Sequence, residues 1–334
     1  MFRFIVRRLL QVIPTLLGLS LLLFVWLHRL PGGPETALLG ERGTPETRAM
    51  VRRQLGLDQP IWVQYGRFMK RLLSGNLGNS IDTKQPVMQE FLDRFPGTVE
   101  LTFASLIFAI GLGIPLGYLA ARKRASWLDN MSVAGSLVAV CVPIFFLGYL
   151  IKQLFAVNLG WFPPTGRQDV TINATHVTNF FVLDGFLTGE WDAAWDAIMH
   201  LVLPGLTLAS IPLAIIVRIT RASVLEVLGE DCVRTARAKG LTERRIRGRH
   251  ILRNAMLPVV TVLGLLTGGL LSGAVLTETV FAFTGIGLFI RQSIDNRDYP
   301  VMMGFIMIIA LIYVLVNLIV DVSYSLIDPR VRVR

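Results

Sequence analysis

Charged side chains inside long apolar runs are the first place to look for chemistry, because hydrocarbon makes them costly. This chain has few: Glu100, Lys152, Glu278 and Asp321. Glu100 and Asp321 lie near the ends of their runs, where solvation is cheap, and Lys152 is long enough to snorkel. Glu278, in "LTETVF", sits among polar and flanking residues and reads first as a structural hydrogen bond, with a gate or substrate contact as the alternative. The signatures of bond-breaking enzymes are missing. His28, His176, His200 and His250 are scattered, with no HExxH and no His/Cys cluster. Cys141 lies in an apolar run and Cys232 in a basic loop, so neither a disulfide framework nor a metal spacing follows. There is no GxSxG elbow and no GxxxxGK phosphate loop. The expectation is a chain that binds no cofactor directly and breaks no bond by itself.

One segment stands apart, "GEDCVRTARAKGLTERRIRGRHILRNAMLP", from Gly229 to Pro258. Glu230 and Asp231 open a short helix, Arg237 and Lys239 close it, and Gly240 terminates it; those signs at those ends complement the helix dipole. Ala236, Ala238 and the bare Gly240 form a small face that another protein's backbone could approach closely. A basic loop resting on anionic lipid explains the arginines. It leaves the capped helix with its small face unexplained.

The elements that must position these residues are membrane spans. Of 334 residues 53% are hydrophobic and only 17% charged, and the mean hydropathy is +0.57. The apolar residues cluster in runs near 9–28, 98–121, 131–157, 199–218, 255–281 and 301–323, each about the twenty residues that cross ~30 Å of hydrocarbon. The reading is an all-α integral membrane protein of six transmembrane helices. The first run is too long for a signal-peptide core and lacks a small-x-small cleavage site, so it reads as a retained span. Gly113 and Gly117 in span 2, and Gly264, Gly268 and Ser272 in span 5, read as close helix packing, with a pore-lining role as the alternative.

Basic residues set the orientation. Arg3, Arg7 and Arg8, then Arg122, Lys123 and Arg124, then ten basic residues from Arg218 to Arg253, then Arg330, Arg332 and Arg334 mark one side. Both termini are therefore expected in the cytoplasm. The net charge of +10 has this membrane cause, and nucleic acid is not an expected partner. Residues 158–198 carry Arg167 against Asp169, Asp184, Glu190, Asp192 and Asp196, as an outer loop should. The organisation expected is residues 1–97 as a first helix plus a long periplasmic segment, 98–323 as a five-helix core with periplasmic loop 158–198 and cytoplasmic loop 219–254, and 324–334 as a basic tail. In the long segment, Thr44, Pro45 and Gly56 delimit a helix. A second helix follows, with Ile61, Trp62, Tyr65, Phe68, Met69, Leu72 and Leu73 on one face, capping the bundle or lying on the membrane.

"VRTARAKGL" followed by "LRNAMLPVVT" resembles the cytoplasmic coupling loop of binding-protein-dependent ABC importer permeases, in its peptide-family form. The general pattern is EAA, three residues, Gly, nine residues, then IxLP. Ala236 and Gly240 match it; Arg234 and Thr235 replace Glu and Ala, and Pro258 falls eighteen residues after Gly240 instead of thirteen, a spacing similar to peptide importers. "RRLLQVIPTLLGLSLL", "LGLDQPIWVQY", "GNLGNS", "RFPGTVELT", "TETVF", "NRDYP" and "DPRVR" resemble the first permease subunit of the dipeptide branch, with Met303 where Gln is expected. The long 158–198 loop favours that branch over the oligopeptide, glutathione and nickel branches.

The resemblance implies a type I ABC importer permease fold in the bacterial inner membrane. It implies as partners a second homologous permease, two ABC ATPase subunits holding ATP-Mg, a periplasmic solute-binding protein, membrane lipid and a peptide substrate. Arg234, Thr235, Ala236, Lys239, Gly240, Leu241, Arg253, Asn254 and Pro258 would form the ATPase-coupling site. Pro143, Gly268, Ser272 and Glu278 would line or gate the pathway. A self-sufficient secondary transporter or channel is the main rival, which should show inverted repeats and a midplane carboxylate. A membrane enzyme is third and needs a nucleophile–base pair at one depth.

Overall fold

The computed structural model describes residues 2–29, 44–55 and 58–327. Along these residues run α1 (Phe2–Arg29), α2 (Pro45–Leu55), α3 (Ile61–Leu73), α4 (Val87–Arg122), α5 (Trp127–Cys141) and α6 (Ile144–Ile151), the last continued by a π-helical turn, Lys152–Asn158. Then come α7 (Phe181–Thr188), α8 (Trp191–Leu228) and α9 (Asp231–Ala238). A single turn at Glu243–Arg245 and a π-helical segment, Ile246–Leu252, lead into α10 (Arg253–Phe281), which is followed by α11 (Ile286–Asp295) and α12 (Tyr299–Ile327). Among the described residues the only β pairing is an isolated bridge between Asn79 and Pro86. The expected all-α class stands. The chain divides into two units, Met1–Phe95 with Gly285–Arg334, and Pro96–Thr284.

In the first unit, α1 carries its apolar run over Leu10–Trp26 and packs on α12. The expected cap of α2 forms, with Thr44 Oγ1 accepting from the Thr47 amide at 3.3 Å and Pro45 in the first helical position; the expected stop at Gly56 lies outside the described residues. The apolar face of α3 is split. Tyr65 shares a 2.8 Å hydrogen bond with Ser20, and Phe68 stacks on Phe24 at 6.0 Å, while Ile61, Trp62 and Leu73 remain exposed. A core of Val87, Phe91, Ile286, Phe289, Val301 and Phe305 joins the start of α4 to α11 and α12. Met303 packs against Tyr299 and Met302.

The second unit is organised around α8, which packs against α5, α6, α7 and α10 and whose 38 residues span about 57 Å at 1.5 Å per residue. Small residues let α4 approach it closely. A Cβ at Gly113 would come within 2.8 Å of Ile216, and one at Gly117 within 2.7 Å of Thr220 and of the Val217 carbonyl. The packing reading of these two glycines holds.

Four helical stretches are long and apolar enough to cross a membrane, Val87–Arg122, Trp191–Leu228, Glu243–Leu270 and Tyr299–Val320. Two further helix pairs pass only as bent spans, which brings the number up to six. One of these is the expected span at 131–157, which is bent: Trp127–Cys141 and Ile144–Asn158 meet at 110°. Pro143 causes the break. It has no amide to continue the ladder and forces Val142 out of the helical region, so Val142 sits at φ −79°, ψ 126°. Ala282, which follows α10, sits in the left-handed region at φ +46°.

Candidate coupling segment and buried polar clusters

The helix at the centre of the basic loop forms as its termini dictate. Glu230 is extended and precedes α9, which ends in two nested bonds: the Gly240 amide donates to the Arg237 carbonyl at 2.9 Å, and the Leu241 amide to the Ala236 carbonyl at 3.3 Å. Gly240 takes φ +73°, the left-handed conformation that this helix end requires and that glycine adopts without strain. An ideal Cβ there would meet nothing within 4 Å. Arg237 then donates to Glu243 at 3.1 Å, and Arg234 pairs with Asp231 at 2.9 Å in full exposure.

Burial divides the proposed coupling residues. Arg234, Thr235, Lys239, Gly240, Arg253, Asn254 and Pro258 are exposed, and Leu241 is half-buried. Ala236 is not on that surface. It is 3% exposed and packs with Val233, Val224, Val227, Ile246, Ile251 and Ala255. The small face expected to meet another protein is therefore partly turned inward, because a helix of eight residues needs an apolar stripe to hold it to the bundle. Ala238 and Gly240 keep the small surface on the outside.

Two substitutions separate these roles. Ala236→Asp places a carboxylate in an apolar cluster with no cation, a change of about 3–5 kcal/mol, and is expected to deplete the protein from the membrane. Arg234→Asp alters only exposed surface and is expected to leave the inserted amount unchanged while reducing uptake. Quantitative immunoblotting of membranes beside an uptake assay checks both.

The expected pathway residues do not share one environment. Pro143 is exposed at the α5–α6 bend, Gly268 is buried within α10, and the Ser272 side chain lies outside the described residues. Glu278 is fully buried, its Oε1 accepting from Thr98 Oγ1 at 2.6 Å. It stands in the field of Arg167, a buried cation on the segment between α6 and α7. Arg167 Nη2 donates at 2.8 Å to both Glu100 Oε2 and the Asn179 carbonyl, and its guanidinium lies 3.8 Å from the Phe181 ring centroid. Glu100 Oε1 accepts from the Val182 amide at 3.0 Å. Gly97 makes room for the cation, since a Cβ there would come within 3.0 Å of Arg167. Lys152 lies on the π-helical turn and donates to the Val280 carbonyl at 2.9 Å, where a positive charge satisfies the C-terminal end of α10. The bond from Thr98 is a buried structural contact of Glu278.

These contacts give the quoted sequence motifs partners. "RFPGTVELT" supplies Gly97, Thr98 and Glu100, and "TETVF" supplies Glu278, all around Arg167. In the first unit, "NRDYP" supplies Asp298, 1% exposed, whose Oδ2 accepts from Ser80 Oγ at 2.5 Å and the Ile81 amide at 2.9 Å. Those two belong to the segment begun by "GNLGNS", and Asn296 adds a 2.9 Å bond to Asp82.

Residues 113–333 match the binding-protein-dependent transport system inner membrane component family, and residues 1–102 match its N-terminal counterpart. The chain belongs to this family. It is a multi-pass permease subunit of an ABC transport system. The chain is similar to the dipeptide transport system permease protein DppB of Alkalihalophilus pseudofirmus, 45% identical over 99% of this chain and 100% of that protein. The di/tripeptide transport system permease protein DppB of Pseudomonas aeruginosa is also 45% identical, with 99% of each covered. The glutathione transport system permease protein GsiC of Salmonella paratyphi A is 38% identical over 99% of each. Among solved structures, an inward-facing form of the MetNI methionine ABC transporter aligns with a TM-score of 0.50 at 18% identity, covering 72% of this chain and 95% of that one. That likeness concerns the fold, and it agrees with the expected type I importer permease architecture.

A pair that no sequence motif signals lies elsewhere in this permease. Asp129, buried at the start of α5, takes both oxygens to Arg221 on α8: one from Nε, the other from Nη2 at 2.9 Å. In the sequence Arg221 is one of many basic residues counted for orientation, and Asp129 is one acid beside three cations. No spacing links them across 92 residues.

Proposed function

We propose that the chain forms part of the translocation path for dipeptides, tripeptides included, across the bacterial inner membrane, in an importer driven by ATP hydrolysed on partner subunits. The assembly proposed is this permease, a second homologous permease, two ABC ATPase subunits that hold ATP-Mg, and a periplasmic solute-binding protein that selects the peptide. The chain itself binds no cofactor and needs no nucleic acid. The substrate class rests on relatives 45% identical over 99% of the chain whose names specify dipeptide or di/tripeptide transport. A peptide with charged ends pays several kcal/mol of desolvation in hydrocarbon, so a gated polar path driven by ATP is the physical requirement.

Coupling is assigned to α9 and its exits. The observation that carries this is a terminated helix whose inner face is packed and whose Arg234, Thr235, Lys239 and Gly240 are exposed together. Arg253, Asn254 and Pro258 extend the surface at the start of α10. On this reading both termini, loop 219–254 and the basic tail 324–334 lie in the cytoplasm and loop 158–198 in the periplasm, from the Lys and Arg of the short loops; the 29–97 segment lies outside as well, because a segment that long crosses largely regardless of its own ten basic residues.

Cysteine labelling in sealed cells tests the orientation. In a background lacking Cys141 and Cys232, both exposed, Lys123→Cys and Lys239→Cys should resist a membrane-impermeant maleimide. Val170→Cys, at a position 99% exposed, should react fully. Labelling of position 239 from outside overturns the placement of α9. Cys232 itself is a slower probe, because its contact with Glu230 pushes the thiol pKa up. Function is tested by reconstitution: labelled dipeptide should accumulate in proteoliposomes only when both ATPases, ATP-Mg and the binding protein are supplied. Accumulation without ATP, driven by an ion gradient, would favour the secondary-transporter reading.

A further inference from the structure

We propose that Asp129 and Arg221 are a positioning pair that fixes the coupling helix relative to the membrane helices, so that ATP hydrolysis on a partner is transmitted to transport. The inference rests on the coupling assignment of α9. Asp129 is 3% exposed, and both of its carboxylate oxygens are engaged by the forked guanidinium of Arg221. The Ala125 amide donates to Oδ2 at 2.9 Å, and the Asp129 amide is bonded in turn to Ser126 Oγ, which caps α5. The turn between α4 and α5, with Ala125 in the left-handed region at φ +60°, is thereby tied to α8.

The place of the tie along α8 is what gives it a role. Val224 and Val227, in the next two turns after Arg221, form the apolar bed on which Val233 and Ala236 of α9 lie, together with Ala121 at the end of α4. Arg221 thus anchors the stretch that carries the coupling helix. Bringing α4 and α8 together does not require it, because Gly113 and Gly117 already allow the two helices to touch. A buried ion pair adds little net stability relative to an apolar pair, yet its bidentate geometry is directional. Those properties suit fixing an angle and transmitting a force. Arg124 is closer in sequence, but the ion pair formed is with Arg221, whose side chain is mostly shielded.

The test uses the whole transporter in proteoliposomes, with the binding protein, and measures peptide imported per ATP hydrolysed beside basal ATP hydrolysis. Asp129→Asn and Arg221→Gln are each expected to lower peptide per ATP by about fivefold, the low end of measured couplings between sites, with basal hydrolysis retained. Residues acting as one unit are non-additive, so Asp129→Asn/Arg221→Gln should be no worse than the poorer single variant. Arg221→Lys, which keeps the charge and loses the fork, should fall between. Gly240→Trp serves as the reference for the coupling surface. Unchanged stoichiometry in the pair variants with an impaired Gly240→Trp overturns the pair and leaves the surface standing. Unchanged stoichiometry in all of them, with each protein inserted, overturns the surface and with it the pair. Effects of the two single variants that multiply in the double would show independent roles and also overturn the proposal. If every variant, the uncharged double included, is lost from the membrane, the pair is an element of folding and the proposal fails.

Discussion

Arg167→Met is expected to remove most of the folded protein from the membrane. The side chain is 5% exposed and bonds Glu100 and the Asn179 carbonyl, in the field of Glu278 and Asp184. Taking away the cation leaves buried carboxylates uncompensated, and breaking one partner of such a pair costs about 3–5 kcal/mol. That is a large part of the ~5–15 kcal/mol by which folded domains are stable. Arg167→Met/Glu100→Gln should recover part of the loss, because one stranded charge goes with its partner. Glu278→Gln is expected to be milder, since the amide oxygen can still accept from Thr98; it should slow uptake of all labelled dipeptides alike and keep their order of preference. A reordered preference would instead make Glu278 a substrate contact. Yield in the membrane and thermal inactivation of the detergent-solubilised protein read the first effect, and competition among several dipeptides reads the second.

Gly240→Trp is expected to abolish uptake with the protein inserted at its usual level. Two effects have to be separated at this position. Any side chain with a Cβ carries about 1–2 kcal/mol of strain at φ +73°, whereas an indole also adds bulk to an exposed surface where nothing lies within 4 Å. Gly240→Asn isolates the strain, since Asn tolerates this conformation better than other residues. A moderate loss with Asn and a loss of more than about tenfold with Trp, equivalent to at least 1.4 kcal/mol of docking, would assign the effect to a partner's surface. Equal losses would assign it to the helix end alone.

What could be read before the fold was known follows from the range of each interaction. The apolar runs, the N-cap of α2 and the stop of α9 at Gly240 are local, so composition and spacing reveal them. Pro143 was visible as a residue, but a 110° bend depends on its rigid ring and on Val142 being driven into an extended conformation. Ala236 was legible as small, and its direction was not: only the packing of Val233 and Ile246 shows that it points inward. In the sequence Arg167 is the lone basic residue of an acidic loop. Its partners Glu100 and Glu278 lie 67 and 111 positions away, and closing such distances is a property of the tertiary fold. The quoted motifs were recognisable separately, whereas the pairing of "GNLGNS" with "NRDYP" through Asp298 was not.

The most direct measurement is a photo-crosslink from α9 in intact cells. An amber-encoded benzophenone at Thr235, exposed on the outer side of the helix, should give one dominant adduct with an ATP-hydrolysing subunit. Gly240→Trp should diminish that adduct, and the same probe at Val170 should not form it. An adduct from Thr235 to lipid alone, or the ATPase adduct arising equally from Val170, would contradict the assignment of α9 as the surface through which ATP hydrolysis drives transport.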